Sequence, residues 1–310
     1  MRRVGLAAIL AAVGLAIVYL LGAGHSTSRS ATTMHSPTAA AQASADALGA
    51  SPGGEPQAAA APHTAVIPAS QASAPRNVMS GAAAGTPASA PSSGSSTCTR
   101  PRYTTSDSTW WDLSPYFVAN DMWNVTGYRV AETLHACSYS NWYVVATMDN
   151  SKGDGAVKTY PNSHRDFDSN PEISSFSSIT STFAETSPDR GIYEDAYDIW
   201  LNGIATPGST EVMIWNDNHG QTPAGSLQAT VTIDGRPYAV WKTGNYIAFV
   251  ASTNFTSGTA NLLDFFQWLM TKGWIPDNTT LGQVDYGAEL VSTNGAPATF
   301  TFSDFSVNAS

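Results

Sequence analysis

Apolar and polar positions alternate with a period of two along the second part of the chain, the signature of strands with one buried face. The run Asn141-Trp142-Tyr143-Val144-Val145-Ala146-Thr147-Met148 predicts a strand, as do Ala196 to Trp200, Glu211 to Trp215, Leu227 to Ile233, Tyr238 to Lys242, Tyr246 to Ser252 and Ala298 to Phe305. Turn chemistry separates them at Asn150-Ser151-Lys152-Gly153, Asp234-Gly235-Arg236-Pro237 and Thr243-Gly244-Asn245. Many short strands at close spacing predict an all-β antiparallel sandwich. One segment departs from the period of two: Leu262 to Met270 carries apolar residues at helical spacing and ends near Gly273, predicting a single amphipathic helix whose Phe and Trp side chains fill the core.

The rest of the chain does not share this pattern. Residues 4–24 are an uncharged, mostly apolar run behind Arg2 and Arg3, the order of an export signal. The run is long enough to serve either as a cleaved signal or as a membrane anchor, since about 20 apolar residues span a bilayer. Residues 25–97 are Ala, Ser, Pro, Gly and Thr with almost no large apolar side chains, a composition expected of a disordered linker. All nine Trp fall in residues 98–310, which form the expected folded domain. The expected location is extracellular, with anchoring through residues 4–24 as the alternative.

Composition then limits the chemistry. The chain carries 24 Asp and Glu against 14 Lys and Arg, a formal charge of -10, which argues against nucleic acid as a partner and favours an uncharged one. The two cysteines, Cys98 and Cys137, both lie in the exported part, where an oxidising compartment favours their pairing. His135, His164 and His219 are isolated from one another, and no His or Cys cluster suggests a zinc site, so no metal and no cofactor are expected. No Gly-x-Ser-x-Gly elbow is present. Any hydrolytic chemistry should come from carboxylates.

On a strand, Glu211, Met213 and Trp215 share one face while Val212 and Ile214 share the other. An acid, a thioether and an indole side by side suit a sugar-binding cleft, because aromatic and polarizable groups stack on the C-H faces of pyranose rings. Asp198 and Trp200 share a face of a second strand; if the strands are neighbours, Asp198 reaches Glu211 and the two carboxyls tune one another. Glu289, in Val284-Asp285-Tyr286-Gly287-Ala288-Glu289-Leu290, is a weaker candidate from spacing alone, placed by its Gly-x-Glu context at a strand edge. The run from Val291 to Phe305 reads as closing strands.

Taken together and in order, Asn120-Asp121-Met122-Trp123, Lys158-Thr159-Tyr160-Pro161-Asn162, Tyr197-Asp198-Ile199-Trp200, Glu211-Val212-Met213-Ile214-Trp215, Pro223-Ala224-Gly225 and Tyr286-Gly287-Ala288-Glu289 resemble glycoside hydrolase family 12, the small endoglucanases. The resemblance implies a jelly-roll sandwich of two antiparallel sheets, an open concave cleft and one helix on the convex side. It implies a retaining endo-β-1,4-glucanase with Glu211 as nucleophile, Glu289 as general acid/base and Asp198 as hydrogen-bond partner of the nucleophile. Asn120, Trp123, Asn162, Met213 and Trp215 are the implied sugar contacts; a β-glucan is the expected substrate and partner, and the enzyme is expected to be a monomer. Xyloglucan specificity and a non-catalytic carbohydrate-binding sandwich are the competing expectations. The first motif departs from the family pattern: Asp121 and Asn124 stand where a second Asn and a Gly are usual, which touches the outer glycone contacts.

Overall fold

The computed structural model describes residues 97–310. The export segment 1–24 and all but the last residue of the linker 25–97 lie outside these residues. Among the described residues, no helix is long and apolar enough to cross a membrane.

Fifteen strands form two stacked sheets. The smaller has the order β1 (Tyr103–Thr105), β4 (Val130–Ser138), β5 (Asn141–Met148), β15 (Ala298–Ala309), β7 (Ile179–Thr186) and β13 (Ser257–Asn261). The larger runs β10 (Ser226–Ile233), β11 (Arg236–Thr243), β12 (Tyr246–Ala251), β9 (Thr210–His219), β8 (Ile192–Leu201), β14 (Leu281–Ser292), β6 (Asn162–Asp166), β3 (Tyr116–Ala119) and β2 (Trp110–Leu113). The expected jelly-roll sandwich is therefore present. Pairing is antiparallel with one correction: β12 runs parallel to β9. The chain leaves β9, forms β10 at the sheet edge, and returns through β11 before β12 can lie beside β9.

Alternation explains the core. Trp142, Val144, Ala146 and Met148 of β5 point between the sheets, where they meet Ile199 and Tyr197 of β8, Val212 and Ile214 of β9 and Phe300 and Phe302 of β15 in one continuous cluster. Trp142 stacks on Phe302 at 4.2 Å between ring centroids. The helix is α1 (Leu262–Thr271), with Leu262, Leu263, Phe265, Phe266 and Leu269 buried. Phe265 meets Tyr238 and Phe249 edge-on, and Trp268 meets Phe249, so α1 covers the core-facing, convex back of β11 and β12. It stops where expected: Gly273 at φ 66° donates its N-H to the Met270 carbonyl at 2.8 Å and the N-H of Trp274 bonds Leu269. Asp234 and Gly235, both at positive φ, make the two-residue turn from β10 to β11. The Cys98–Cys137 disulfide forms as expected and ties the start of the domain to β4.

One strand expectation needs correction. Glu289 is not at a strand edge: β14 is flanked by β8 and β6 deep in the larger sheet. The run from Val291 to Phe305, expected as closing strands, holds the end of β14, a turn containing Asn294 and Gly295 at positive φ, and most of β15.

Candidate active site

Three adjacent central strands carry the candidate chemistry, and their side chains divide cleanly between two faces. Val212 and Ile214 of β9, Tyr193, Tyr197 and Ile199 of β8, and Val284, Tyr286, Ala288 and Leu290 of β14 enter the main core. The opposite, concave face receives Glu211, Met213 and Trp215 from β9, Glu194, Ala196, Asp198 and Trp200 from β8, and Asp285, Gly287 and Glu289 from β14. Register fixes their neighbours. Glu211 lies opposite Trp200 and Met213 opposite Asp198, so Asp198 and Glu211 are diagonal. On the other side of β8, Asp285 faces Asp198 and Glu289 faces Glu194.

The floor between the acids is a separate small apolar cluster of Ala196, Met213, Trp215 and Ala248, bordered by Trp241, Tyr246 and Val250. Ala248 pairs with Met213 and Ala196 with Trp215, so each large side chain lies against a methyl rather than another bulky group. The indole N-H of Trp215 points to the Met213 sulfur at 3.4 Å. In the same cross-strand row Ala196 pairs with Gly287, Gly287 with Asn162, Asn162 with Ala119, and Ala119 with Trp110. Gly287 is required by packing: a Cβ there would lie 2.1 Å from the Pro161 carbonyl oxygen and 2.8 Å from Asn162. Trp110, at 40% exposure, ends this row as an open aromatic face, whereas Trp111 turns inward to stack on Tyr103.

Crowding dominates the electrostatics. Burial raises the pKa of Glu211, and the charges of Asp198, Glu289 and Asp285 raise it further. Burial likewise raises Asp198, with Glu289 adding to the effect and Trp200 opposing it. Glu289 is raised by burial, opposed by a hydrogen bond with Glu194, and raised again by Asp121. Glu194 is itself pushed well up by burial and by Glu289. A group of acids this close cannot all ionise in a buried setting, so protons are shared among them. The Tyr246 and Tyr160 hydroxyls belong to the same field: burial raises both, Glu211 acts most strongly among the charges on Tyr246, and Asp285 among those on Tyr160. The Tyr160 hydroxyl donates to the Ala196 carbonyl at 3.0 Å.

The residues singled out from sequence thus fall into two groups. Glu211, Asp198, Glu289, Met213 and Trp215 share one face and one electrostatic field. Asn162 joins them by register, but its amide donates to the Tyr160 carbonyl at 2.8 Å and its Oδ1 shares a hydrogen bond with His164 at 2.9 Å. Burial holds the His164 imidazole down to about 4, and therefore neutral. Asn120 is fully buried, with its amide on the Asp107 carbonyl at 3.2 Å, which fixes the loop after β3. Trp123, on that loop, is half-buried. Sequence reasoning missed Glu194 and Asp285; the alternation Glu194, Ala196, Asp198, Trp200 would have found the first had β8 been started four residues earlier.

The family model described as glycosyl hydrolase family 12 matches residues 114–310. A xyloglucan-specific endo-beta-1,4-glucanase A from Emericella nidulans is 29% identical over 216 residues, covering 64% of this chain and 89% of that protein. An inactive glycoside hydrolase from Phytophthora nicotianae is 26% identical over 215 residues, covering 64% of this chain and 90% of its own length. A family 12 xyloglucanase structure from Bacillus licheniformis superposes with a TM-score of 0.58 at 23% identity, covering 67% of this chain and all of that one, which extends the agreement in fold.

Proposed function

The chain belongs to glycosyl hydrolase family 12 and is a glycoside hydrolase, and from that premise we propose that it is a retaining endo-β-1,4-glucanase acting by double displacement. The observation that carries the reading is the acid-lined, apolar-floored face of β8, β9 and β14, which presents Glu211 and Glu289 on the same side of the sheet from the two strands flanking β8, with Glu289 among the charges acting on Glu211.

In this mechanism a glucan chain lies along the concave face with a pyranose ring over Trp215 and Met213. Glu211 attacks C1 to form a glycosyl-enzyme, while Glu289 gives its proton to the departing O4; water then enters, Glu289 takes its proton, and the sugar leaves Glu211 with its anomeric configuration kept. Such chemistry needs the two carboxyl groups about 5–5.5 Å apart when substrate is bound. It also needs opposite protonation states in neighbouring groups. Burial raises Glu289, which suits its role as the acid, but it raises Glu211 more strongly, so the nucleophile must give up a proton before it attacks. Asp198, the charge that acts most strongly on Glu211, would take the proton that Glu211 must release and hold the nucleophile by donating to it.

The sugar-facing apolar floor supports an uncharged polysaccharide as substrate. A xyloglucan-specific version of the activity is the second reading, favoured by the similarity to the Emericella nidulans enzyme. Export with cleavage or retention of residues 4–24, and action as a monomer, complete the proposal.

The test is hydrolysis of a panel of carboxymethyl cellulose, mixed-linkage β-glucan and xyloglucan, with the anomer of the first product followed by NMR. Glu211→Ala protein, folded by circular dichroism, should lose activity by at least about 10³-fold, and Glu289→Gln by about 10²–10⁴-fold on substrates with poor leaving groups. Inversion at C1, or near wild-type turnover by folded Glu211→Ala protein, overturns the mechanism. A wild-type chain that binds these glucans without releasing reducing ends would place it beside its inactive relative.

A further inference from the structure

Behind the cleft, on the core side of the same strands, lies a second group of acids that the proposed reaction does not use. Glu185 stands near the end of β7 in the smaller sheet, and Asp195 points inward from β8 in the larger one. Asp217 is the partner of Asp195 on β9. Its placement depends on an irregularity: the β8–β9 register shifts between Asp195 and Ala196, so Asn216 is an extra residue on β9. Such a bulge re-aims the following side chain. Without it Asp217 would share the concave face with Trp215; with it, Asp217 turns to the core beside Asp195.

One carboxylate oxygen from each of Glu185, Asp195 and Asp217 lies within 4.8 Å of the other two. The three residues are 5%, 0% and 6% exposed. The other charges acting on them are the negative Asp189 on the β7–β8 loop and, opposing Asp217 alone, His219. A second, independent feature points into the cluster. The Tyr193 side chain is fully buried and its hydroxyl has no partner in good hydrogen-bond geometry; Asp195 and Asp217 are the charges it feels most, with the Asp189 backbone N-H opposing them. Asn216, 1% exposed, likewise leaves its Oδ1 without a partner. Both Glu185 and both Asp195 carboxylate oxygens share that condition, while Asn254 donates to Asp217.

Three carboxylates packed into a sandwich core must be neutralised, either by taking up protons or by a cation that all three can ligate. The donor set is entirely oxygen and strongly anionic, the preference of a hard divalent cation rather than zinc. A Ca²⁺ ion takes about 6–8 oxygens at about 2.3–2.6 Å, so opposite ligands lie close to 5 Å apart, matching the span here. The absence of His and Cys clusters in the sequence bears on zinc alone and leaves this chemistry open.

We propose that Glu185, Asp195 and Asp217 bind one Ca²⁺ ion, with neutral oxygens such as those of Tyr193 and Asn216 available to complete its shell, and that the ion clamps the end of β7 to β8 and β9. The site is structural. It lies on the face of β8 opposite Glu194 and Asp198, so its occupancy is read in stability.

The test uses the full chain, stripped with EGTA and exchanged into calcium-free buffer. Titration with CaCl₂ should show one ion bound per chain by isothermal calorimetry. At about 100 times the dissociation constant the ion should raise the melting temperature by roughly 5–11 °C. Asp195→Asn and Glu185→Gln, chosen to keep shape, should remain folded and lose that rise. If a variant fails to fold, the wild-type titration still decides. No calcium binding by the stripped wild-type chain overturns the proposal, as does an unchanged calcium-dependent rise in folded Asp195→Asn.

Discussion

Gly287 shows how little freedom a single residue has beside the candidate acids. Its missing side chain lets β6 approach β14 closely, and Gly287→Ala would drive a methyl group into the Pro161 carbonyl. The two strands must separate to admit it, and overpacking of this kind costs about 1–3 kcal/mol. Because Glu289 is two residues along the same strand, the variant should lose activity as well as melting temperature. A variant with wild-type kcat at 25 °C would show that β14 absorbs the methyl without moving Glu289. At this scale the sequence was uneven in what it disclosed. Glu211 was legible because Val212 and Ile214 are so plainly core that its own face had to be the other one. Glu289 was not, because every position of β14 is buried on both faces and alternation leaves no trace. Glu194 and Asp195 escaped because the expected strand began at Ala196, past two acids that point to opposite faces.

Among the elements, α1 offers the clearest separation of stability from chemistry. Phe265 is 1% exposed and packs edge-on against Tyr238 and Phe249, on the side of β11 and β12 away from the cleft. Phe265→Ala should destabilise by about 3–5 kcal/mol. The folded fraction should keep its specific activity, measured as turnover per native molecule below the melting transition. Loss of turnover with no change in melting temperature would contradict this division. The helix was legible in sequence from its apolar spacing and its terminal glycine. So were β5, β10, β11 and β12, half-buried strands joined by recognisable turns. The short strands β1, β2, β3, β6 and β13 were not, since three to five residues carry too little periodicity. The partnership of strands, and with it the parallel entry of β12, is a property of tertiary contact and has no local signal.

Over the whole molecule, buried acids link stability to pH. Glu132, 3% exposed, accepts a hydrogen bond from Thr159 at 2.8 Å, yet burial raises its pKa from 4.5 to about 8. The folded chain therefore holds a proton there that the unfolded chain releases. This stabilisation is full below about pH 4.5 and is lost as pH rises toward about 8, at up to about 1.4 kcal/mol per pH unit. Glu132→Gln keeps a neutral group at every pH. Its melting temperature should fall less steeply than that of the wild type between pH 5 and 8, and parallel curves would show that Glu132 does not carry this dependence. The acidic composition excluded nucleic acid at the outset, but the concentration of so many of its acids inside the sandwich was visible only in the folded chain.

The parallel pairing of β9 with β12 also makes the seat of the nucleophile depend on a non-local contact. The turns at Asp234-Gly235 and Gly244 let β10, β11 and β12 zip together locally, at small entropic cost. Joining β12 to β9 requires that whole meander to swing back as a unit, a non-local closure that is intrinsically slow. Glu211 pairs with Tyr246 at this seam. The strand that bears it has its second neighbour only once that closure is made, so the nucleophile's seat depends on a contact between segments about 35 residues apart.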